Sequence, residues 1–258
     1  DQIVCYGELL STTIVSEYLT DIGVTNTWKD VRKLVITDTV YRDATLNWLE
    51  TEQLIKTQID SSKLTIVQGF IGGNSNGNTT TLGREGSDYT AGIFAYCLDA
   101  KNVTIWKDVP GVLNADPRYF ENAVLLNQIS YREAIELAFY GASVIHPKTL
   151  QPLQRKGIPL RVRSFLAPER KGTYVGSELD IMPKIPCFIV KKNQILISVA
   201  DKEFHFVMEQ DISEIFKLLH EFKVKANMIQ NSAISFSLCI EDNFNNFELL
   251  FKILFYLF

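Results

Sequence analysis

The spacing of apolar residues near the start of the chain is helical. Leu10, Ile14 and Tyr18 recur four residues apart within residues 7–24, and Gly23 supplies a stop at the end of this segment. The pattern therefore predicts an amphipathic helix with these three residues on its apolar face.

Apolar runs alternate with further helical segments up to residue 163. Short runs rich in β-branched residues predict strands, and the Gly, Asn and Ser residues of 72–78 predict a loop or a hairpin. The predicted strands are 31–37, 64–68, 103–106 and 159–163, and the predicted helices are 45–59, 87–98, 130–140 and 146–156. Because strands and helices alternate, we predict an α/β fold with a mostly parallel, three-layer sheet.

Three of the predicted helix ends carry local signals. Ser130 and Glu133 have the spacing of a capping box, and Gly157 is placed to end the helix before it. Ser87 or Asp88 is predicted to cap the helix that follows the glycine-rich segment.

The pattern changes after residue 173. Residues 173–186 contain Gly176, Pro183 and Pro186 and show no clear period, which is typical of a linker. The segments that follow alternate as strand, helix, strand, strand and helix, which predicts most of a ferredoxin-like α+β module. These segments are 194–199, 211–222, 226–229, 233–240 and 246–254. The predicted boundaries are 1–176 for a first domain, 177–187 for a linker and 188–258 for a second module.

The composition argues against several classes of function. A net charge of −4 without a stripe of Lys and Arg argues against a nucleic-acid partner. No signal peptide opens the sequence, and the apolar run 247–258 is too short to span a bilayer, so no membrane role is predicted. The four cysteines and three histidines show no metal-ligand spacing. Reduced thiols in a cytoplasmic protein are therefore favoured over disulfides.

The most distinctive chemistry lies in residues 83–88, between a predicted strand and a predicted helix. Gly83 and Gly86 let the backbone approach a ligand, and the helix start beside them favours an anion. Arg84 adds a planar guanidinium that matches a carboxylate or a phosphate. Neither a GxxxxGKS/T loop nor a GxGxxG turn is present here. A plain strand–loop–helix connection with a solvated arginine is the alternative interpretation.

Further charged residues lie next to other predicted elements. Asp108 follows a predicted strand, Asp116 and Arg118 lie shortly downstream, and Glu8 stands at the start of the first helix. Ligands of α/β sheets gather at the carboxyl ends of strands, where acids hold Mg²⁺ or a cationic group. Each residue also has a structural interpretation, in which Glu8 is a helix N-terminal charge, Asp116 a turn residue and Arg118 a solvated arginine.

Several segments resemble one family. GFIGGNSNGNTTTLGREGSDYTA closely resembles the substrate and phosphate loop of aspartate kinases, a branch of the amino-acid kinase family. YGELLST resembles the GE segment of this family, IWKDVPGVLNADPR its nucleotide segment, and YGASVIHPKT its FGAxVxHPxT segment. NMIQNSAISFSLCIED resembles the strand pair of a first ACT module, the regulatory module that follows the catalytic domain in these enzymes. The resemblance implies a catalytic amino-acid kinase domain over 1–176 and a partial ACT module over 188–258.

The same resemblance implies roles for individual residues. Arg84 matches the arginine that grips the substrate carboxylate, Glu8 the glutamate that contacts its amino group, and Asp88 the acid that orders the loop. Gly83 and Phe70 match positions beside the substrate. The positions that match the nucleotide site are Lys107, Asp108, Leu113, Asp116, Arg118 and Ser143.

Departures from the family pattern fall mainly on the nucleotide side. Lys107 stands where many members have threonine, Leu113 where an aromatic residue often stacks near the adenine, and Ser143 where a lysine is common. The KFGGTS phosphate loop of the family does not occur in residues 1–258, nor does a second ACT module. We therefore expect both ends to be truncated and the chain alone to be inactive without an upstream segment.

The function implied by the resemblance is aspartate kinase. Such an enzyme uses ATP and Mg²⁺ to convert L-aspartate to 4-phospho-L-aspartate, the step that opens lysine, threonine and methionine biosynthesis. ACT modules imply a homo-oligomer and an effector amino acid, with lysine favoured over threonine. A second hypothesis is a non-catalytic regulatory or binding polypeptide, comparable to the short subunit of some aspartate kinases. A third, a kinase that acts on glutamate, is disfavoured because such enzymes lack ACT modules.

Overall fold

Strands and helices alternate along the computed structural model, which describes residues 1–141, 144–200, 208–241 and 246–257. The chain divides into two compact units, Asp1–Ile189 and Val190–Phe258. The helices are α1 (Cys5–Asp21), α2 (Trp48–Gln58), α3 (Gly86–Cys97), α4 (Tyr131–Tyr140), α5 (Pro147–Lys156), α6 (Glu209–Glu221) and α7 (Phe247–Leu257). The strands of the first unit are β1 (Thr27–Lys29), β2 (Ile36–Thr37), β3 (Thr65–Val67), β4 (Ile71–Asn74), β5 (Thr79–Thr81), β6 (Val103–Lys107), β7 (Gln128–Ser130), β8 (Leu160–Ser164) and β9 (Thr173–Gly176). The strands of the second unit are β10 (Ile195–Ala200), β11 (Lys225–Asn231) and β12 (Ser235–Glu241).

Parallel pairs dominate the strand ladders of the first unit, as predicted. β1 pairs with β3, β2 with β4, β6 with β8 and β7 with β9, all in parallel. The antiparallel pairs are β4 with β5 and β8 with β9. The ladders fall into three groups, in the orders β1-β3, β2-β4-β5 and β6-β8-β9-β7. The predicted α/β class is confirmed, and 72–78 lies in the β4–β5 hairpin.

Two apolar cores support these ladders. One core joins β6, β7, β8 and β9 to α4 and α5, with Leu126, Leu150 and Leu160 fully buried. The other lies between α2, α3 and the first strands, with Ile55 and Ile93 fully buried. Because α3 contributes to both cores, its position relative to the surrounding strands is fixed from two sides.

The predicted apolar face of α1 is not the face that it buries. Leu10, Ile14 and Tyr18 are each more than 60% exposed. The helix instead packs through its other side, where the Thr12 hydroxyl accepts hydrogen bonds from Trp28 Nε1 (3.1 Å) and Gln68 Nε2 (2.8 Å). The helix is confirmed, but its buried side carries Cys5 and Leu9, which pack in the core of α2 and α3, together with Thr12. The four-residue period did not reveal these contacts.

The predicted strand 31–37 is wrong in most of its length. Only Ile36–Thr37 is a strand, and Val31–Lys33 forms a 3₁₀ turn. The Asp30 carboxylate accepts a hydrogen bond from the Arg32 backbone N–H, which favours the turn over an extended chain. The pattern also missed β1, which lies immediately before this turn.

Two of the predicted helix-end signals are confirmed. Ser130 and Glu133 form the predicted capping box at the start of α4. Gly157 follows α5 in the left-handed conformation (φ 64°), as predicted. Because both signals act within a few residues, tertiary contacts do not override them.

Residues 177–187 belong to the first unit and are not a free linker. Asn127 donates a backbone hydrogen bond to Met182 (2.7 Å), and Ile181, Ile185 and Cys187 pack against the core that contains β7. Together with β9, this segment extends the first unit to Ile189. The division between units therefore follows Ile189 and not Gly176, because these apolar residues bury against α4 and its neighbours.

The second unit has the predicted order of strand, helix, strand, strand and helix. Its sheet is antiparallel in the order β10-β12-β11. One face of the sheet packs with α6 and α7 around Ile215, Leu238 and Leu250, which are fully buried. Among the described residues, no helix is long and apolar enough to cross a membrane. The four cysteines are all free thiols.

Thr173 ties the loop after β6 to β9, and its loss is expected to destabilise the first unit. Its buried hydroxyl accepts a hydrogen bond from the Val112 N–H (2.8 Å) and donates one to the Leu126 carbonyl (2.7 Å). Thr173→Val would leave both backbone groups unpaired in the core, which costs about 2–3 kcal/mol. Urea unfolding followed by tryptophan fluorescence measures this, because all three tryptophans lie in the first unit. Thr57→Val, at an exposed site, is the control and should change stability by about 0.5 kcal/mol or less; equal losses would contradict the assignment.

Candidate active site around Arg84

Arg84 lies in a tight turn between β5 and α3. The residues on either side of it, Gly83 (φ 81°) and Glu85 (φ 56°), both have left-handed backbone conformations. The Gly86 N–H donates to the Gly83 carbonyl (3.1 Å) and closes the turn. The Arg84 side chain is exposed, so the turn presents its guanidinium to solvent. This geometry fits a cation that meets a small anion from outside.

The start of α3 differs from the predicted cap. Glu85 occupies the position before the helix and makes no side-chain capping hydrogen bond, while Ser87 and Asp88 lie in the first turn. The prediction that Ser87 or Asp88 caps the helix is therefore wrong, because the left-handed residue Glu85 starts the helix two residues earlier.

Phe70 contacts the same helix start. It too has a positive φ (69°), and its backbone N–H donates to the Thr90 hydroxyl (3.1 Å). A Cβ on Gly86 would lie 2.8 Å from Phe70 Cδ2, so only glycine allows this approach. The segment after β3 and the start of α3 are thus packed against each other.

Lys107 joins the Arg84 turn to the end of β6. Its Nζ lies 2.7 Å from Glu85 Oε2 and 2.8 Å from Asp88 Oδ2, and all three side chains are 20% exposed or less. Burial raises the pKa of Asp88 although Lys107 acts in the opposite direction. Burial alone would lower the pKa of Lys107, but the neighbouring carboxylates of Asp88 and Glu85 raise it. The Lys107 ammonium is therefore charged and paired with two carboxylates.

A second ion pair lies on the other side of the turn. Lys148, at the start of α5, pairs with Asp43, and a Cβ on Gly83 would collide with the Asp43 carboxylate. His146 precedes α5 and accepts a hydrogen bond from the Lys148 N–H (3.2 Å) at Nδ1. Burial, followed by the charges of Lys148 and Arg84, lowers the pKa of His146. The HPKT segment is therefore a neighbour of Arg84.

The residues assigned to the nucleotide are more scattered. Asp108 is exposed directly after Lys107 at the end of β6, and Leu113 forms an isolated bridge with Leu125. Asp116 pairs with Arg118 (Nη2–Oδ2, 2.6 Å) and accepts a hydrogen bond from its backbone N–H, which is the turn arrangement that the sequence left open. The hydrogen bonds of Arg118 lower the pKa of Asp116. Ser143 lies outside the described residues.

Glu8 lies in the first turn of α1. Burial raises the pKa of its carboxyl, and its backbone carbonyl accepts a hydrogen bond from Thr12 (2.8 Å). Thr12 also binds Gln68, which follows β3. Glu8 therefore lies one helical turn before Thr12, and Thr12 is hydrogen-bonded to Gln68, two residues before Phe70.

The structure thus brings Phe70, Gly83, Arg84, Asp88 and Lys107 into one cluster. In the described part of the chain, hydrogen bonds do not link Glu8, Asp108 or the Asp116–Arg118 pair to it. Sequence reasoning missed Glu85, Asp43 and Lys148 as neighbours of Arg84; only Lys148, within the HPKT segment, carried a signal. In the same residues, no group of three or more His, Cys, Asp or Glu side chains is placed to hold a metal ion.

Comparisons with known proteins find aspartokinases among the relatives of this chain. Lysine-sensitive aspartokinase 3 of Escherichia coli is 35% identical over 244 residues, which are 93% of this chain and 54% of that protein. Aspartokinase 1, chloroplastic, of Arabidopsis thaliana is 32% identical over 248 residues, 93% of this chain and 43% of that protein. The chain therefore spans about half the length of the curated relatives it matches.

Solved structures give the same result. The Escherichia coli aspartokinase III complex with aspartate and ADP is 33% identical with a TM-score of 0.80, covering 97% of this chain and 58% of that chain. Clostridium acetobutylicum aspartate kinase is 27% identical with a TM-score of 0.81, covering 96% of this chain and 56% of that chain. The sequence model of the amino acid kinase family matches residues 1–164, well over half of the sequence. The chain belongs to the amino acid kinase family.

Proposed function

We propose that this chain is part of an aspartate kinase, which transfers the γ-phosphate of ATP to L-aspartate and yields 4-phospho-L-aspartate and ADP. The observation that carries the proposal is the Arg84 turn, braced by Lys107 against the end of β6. This turn lies in TTTLGREGSDYT, which resembles the substrate loop of aspartate kinases, and the Escherichia coli relative was solved with aspartate and ADP.

In this proposal Arg84 and Glu8 hold the two charged groups that aspartate shares with every amino acid. Arg84 binds the α-carboxylate and Glu8 the α-ammonium, while Phe70 and Gly83 line the substrate and Asp88 orders the turn. The side-chain carboxylate of aspartate is the nucleophile and is already an anion, so it needs no general base. Catalysis then depends on positioning and on neutralisation of charge.

The nucleotide is proposed to lie along the segment after β6. Asp108, Leu113, Asp116, Arg118 and Ser143 are its proposed contacts. Lys107 matches a nucleotide position of the family, but its ammonium pairs with Glu85 and Asp88. Mg²⁺ bound to the phosphates supplies charge neutralisation, and such ions use one or two protein carboxylates beside phosphate oxygens. The exposed Asp108 carboxylate fits that part because it stands at the carboxyl end of a parallel strand.

The second unit is proposed to be an ACT regulatory module. Its β-α-β-β-α order and the NMIQNSAISFSLCIED segment support this, and the 35%-identical relative is named lysine-sensitive. We propose lysine as the effector and a homo-oligomer assembled through these modules. A cytoplasmic location stays a prediction, supported by the free thiols.

Hydroxylamine trapping of the acyl phosphate tests the proposed function. Full-length protein from the complete reading frame is incubated with ATP, Mg²⁺ and either L-aspartate or L-glutamate. We expect hydroxamate from aspartate and not from glutamate, and inhibition by lysine. Lysine binding without any phosphoryl transfer would instead support the regulatory polypeptide, and turnover of glutamate would contradict the substrate.

A further inference from the structure

Glu85 adopts an uncommon backbone conformation directly beside Arg84. Its φ of 56° and ψ of 31° lie in the left-handed region, which residues other than glycine enter at an energetic cost. Gly83, on the other side of Arg84, meets the same requirement without strain. The direction of the Arg84 side chain therefore depends on a strained residue that another contact has to hold.

That contact comes from β6. Lys107 is 22 positions from Glu85 in sequence, and its Nζ binds Glu85 Oε2 at 2.7 Å and Asp88 Oδ2 at 2.8 Å. Glu85 immediately precedes α3 and Asp88 lies in its first turn. Lys107 thus links the start and the end of the first turn of α3, next to Arg84, to the end of β6.

Binding a nucleotide phosphate is the alternative role for Lys107. An ammonium has three donors, and here two carboxylates face it, so the single positive charge of Lys107 is already more than balanced by its two partners. A nucleotide phosphate approaching Lys107 would be repelled by Glu85 and Asp88 at close range. Fixing the turn is the role that agrees with these contacts.

We propose that Lys107 is a positioning residue, which holds Glu85 in its left-handed conformation and so aims Arg84 at the carboxylate of aspartate. The link to aspartate rests on the proposed function. The effect of Lys107 on substrate binding passes mainly through Glu85, and most of it should disappear when residue 85 no longer needs to be held. Glycine at position 85 provides that condition because it adopts a positive φ freely.

A double-mutant cycle on the full-length enzyme tests this. The variants are Lys107→Met, Glu85→Gly and the double variant, with KM for aspartate, KM for ATP and kcat measured for each. We expect Lys107→Met to raise the aspartate KM about ten-fold with Glu85 present, and about three-fold or less with glycine there. The remaining effect reflects the loss of the Asp88 partner, which occurs in both backgrounds and cancels in the comparison.

Two controls sharpen the result. Lys107→Arg keeps a cation and should stay within about three-fold of the parent enzyme, because it can still reach both acids. Lys56→Met breaks an exposed i,i+4 pair with Glu52 and should leave the aspartate KM unchanged. A rise in the ATP KM on Lys107→Met, or the same aspartate effect in both backgrounds, would overturn the proposal.

Urea unfolding of the four proteins separates this inference from the proposed function. Trp106 is adjacent to Lys107, and the tryptophan signal reports on the first unit whether or not the protein acts on aspartate. We expect Lys107→Met to lower the unfolding midpoint less in the Glu85→Gly background. Absence of aspartate phosphorylation would overturn the proposed function and the link to aspartate affinity. Additive changes in the unfolding midpoint would overturn the proposal that Lys107 holds Glu85.

Discussion

Arg84→Ala is expected to raise the KM for aspartate about 100-fold in the full-length enzyme, with a much smaller change in kcat. A hydrogen-bonded contact between charged groups contributes about 1.5–3 kcal/mol, and each 1.4 kcal/mol is a factor of ten in affinity. Under the proposed function, Arg84 binds the α-carboxylate, which does not react. Its contribution is therefore similar in the ground state and the transition state, and its loss appears in KM.

Steady-state kinetics of hydroxamate formation, with aspartate varied at saturating ATP, measure this effect. Arg84→Lys keeps the charge but loses the planar pair of donors, so it should recover only part of the affinity. Arg132→Ala, at an exposed position on α4, is the matched control and should leave the aspartate KM unchanged. An unchanged aspartate KM in Arg84→Ala would remove the assigned role, and a raised ATP KM would reassign the arginine to the nucleotide.

The sequence predicted the order of elements well because that order depends on local signals. The capping box at Ser130, the stop at Gly157 and the alternation of apolar runs each act within one helix or strand. Orientation depends on longer-range contacts, and there the prediction failed. The buried side of α1 was missed because Cys5, Leu9 and Thr12 make its contacts, whereas the apolar residues Leu10, Ile14 and Tyr18 lie exposed.

The candidate site shows the same division. The glycines and the arginine of residues 83–88 are visible in the sequence, and their position at a turn that leads into a helix agrees with the expectation. The ion pairs that hold this turn could not be predicted, because Glu85 pairs with Lys107 and Lys148 with Asp43 across large sequence separations. Nor does the sequence show that a glutamate adopts a positive φ. The contacts that hold the Arg84 turn are therefore visible only in the folded chain.

Gly172→Ala is expected to destabilise the first unit by about 3–4 kcal/mol, a large loss for the addition of one methyl group. Gly172 precedes β9 and has a φ of 65°, which costs an alanine about 1 kcal/mol. A Cβ there would also collide with the Val162 carbonyl oxygen of β8 and lie 3.1 Å from Arg163 Cα. Since those atoms are backbone, the β8–β9 ladder itself has to shift, which adds about 2–3 kcal/mol.

Gly157→Ala is the matched control for this prediction, because it has nearly the same φ (64°) and nothing within 4 Å of the added methyl group. It should lose about 1 kcal/mol, the cost of the left-handed conformation alone. Urea unfolding monitored by tryptophan fluorescence gives both values, since both glycines lie in the first unit. The difference between the two variants isolates the collision with Val162. Equal losses would mean that the strands β8 and β9 separate without cost, and that the close approach at Gly172 does not hold them in register.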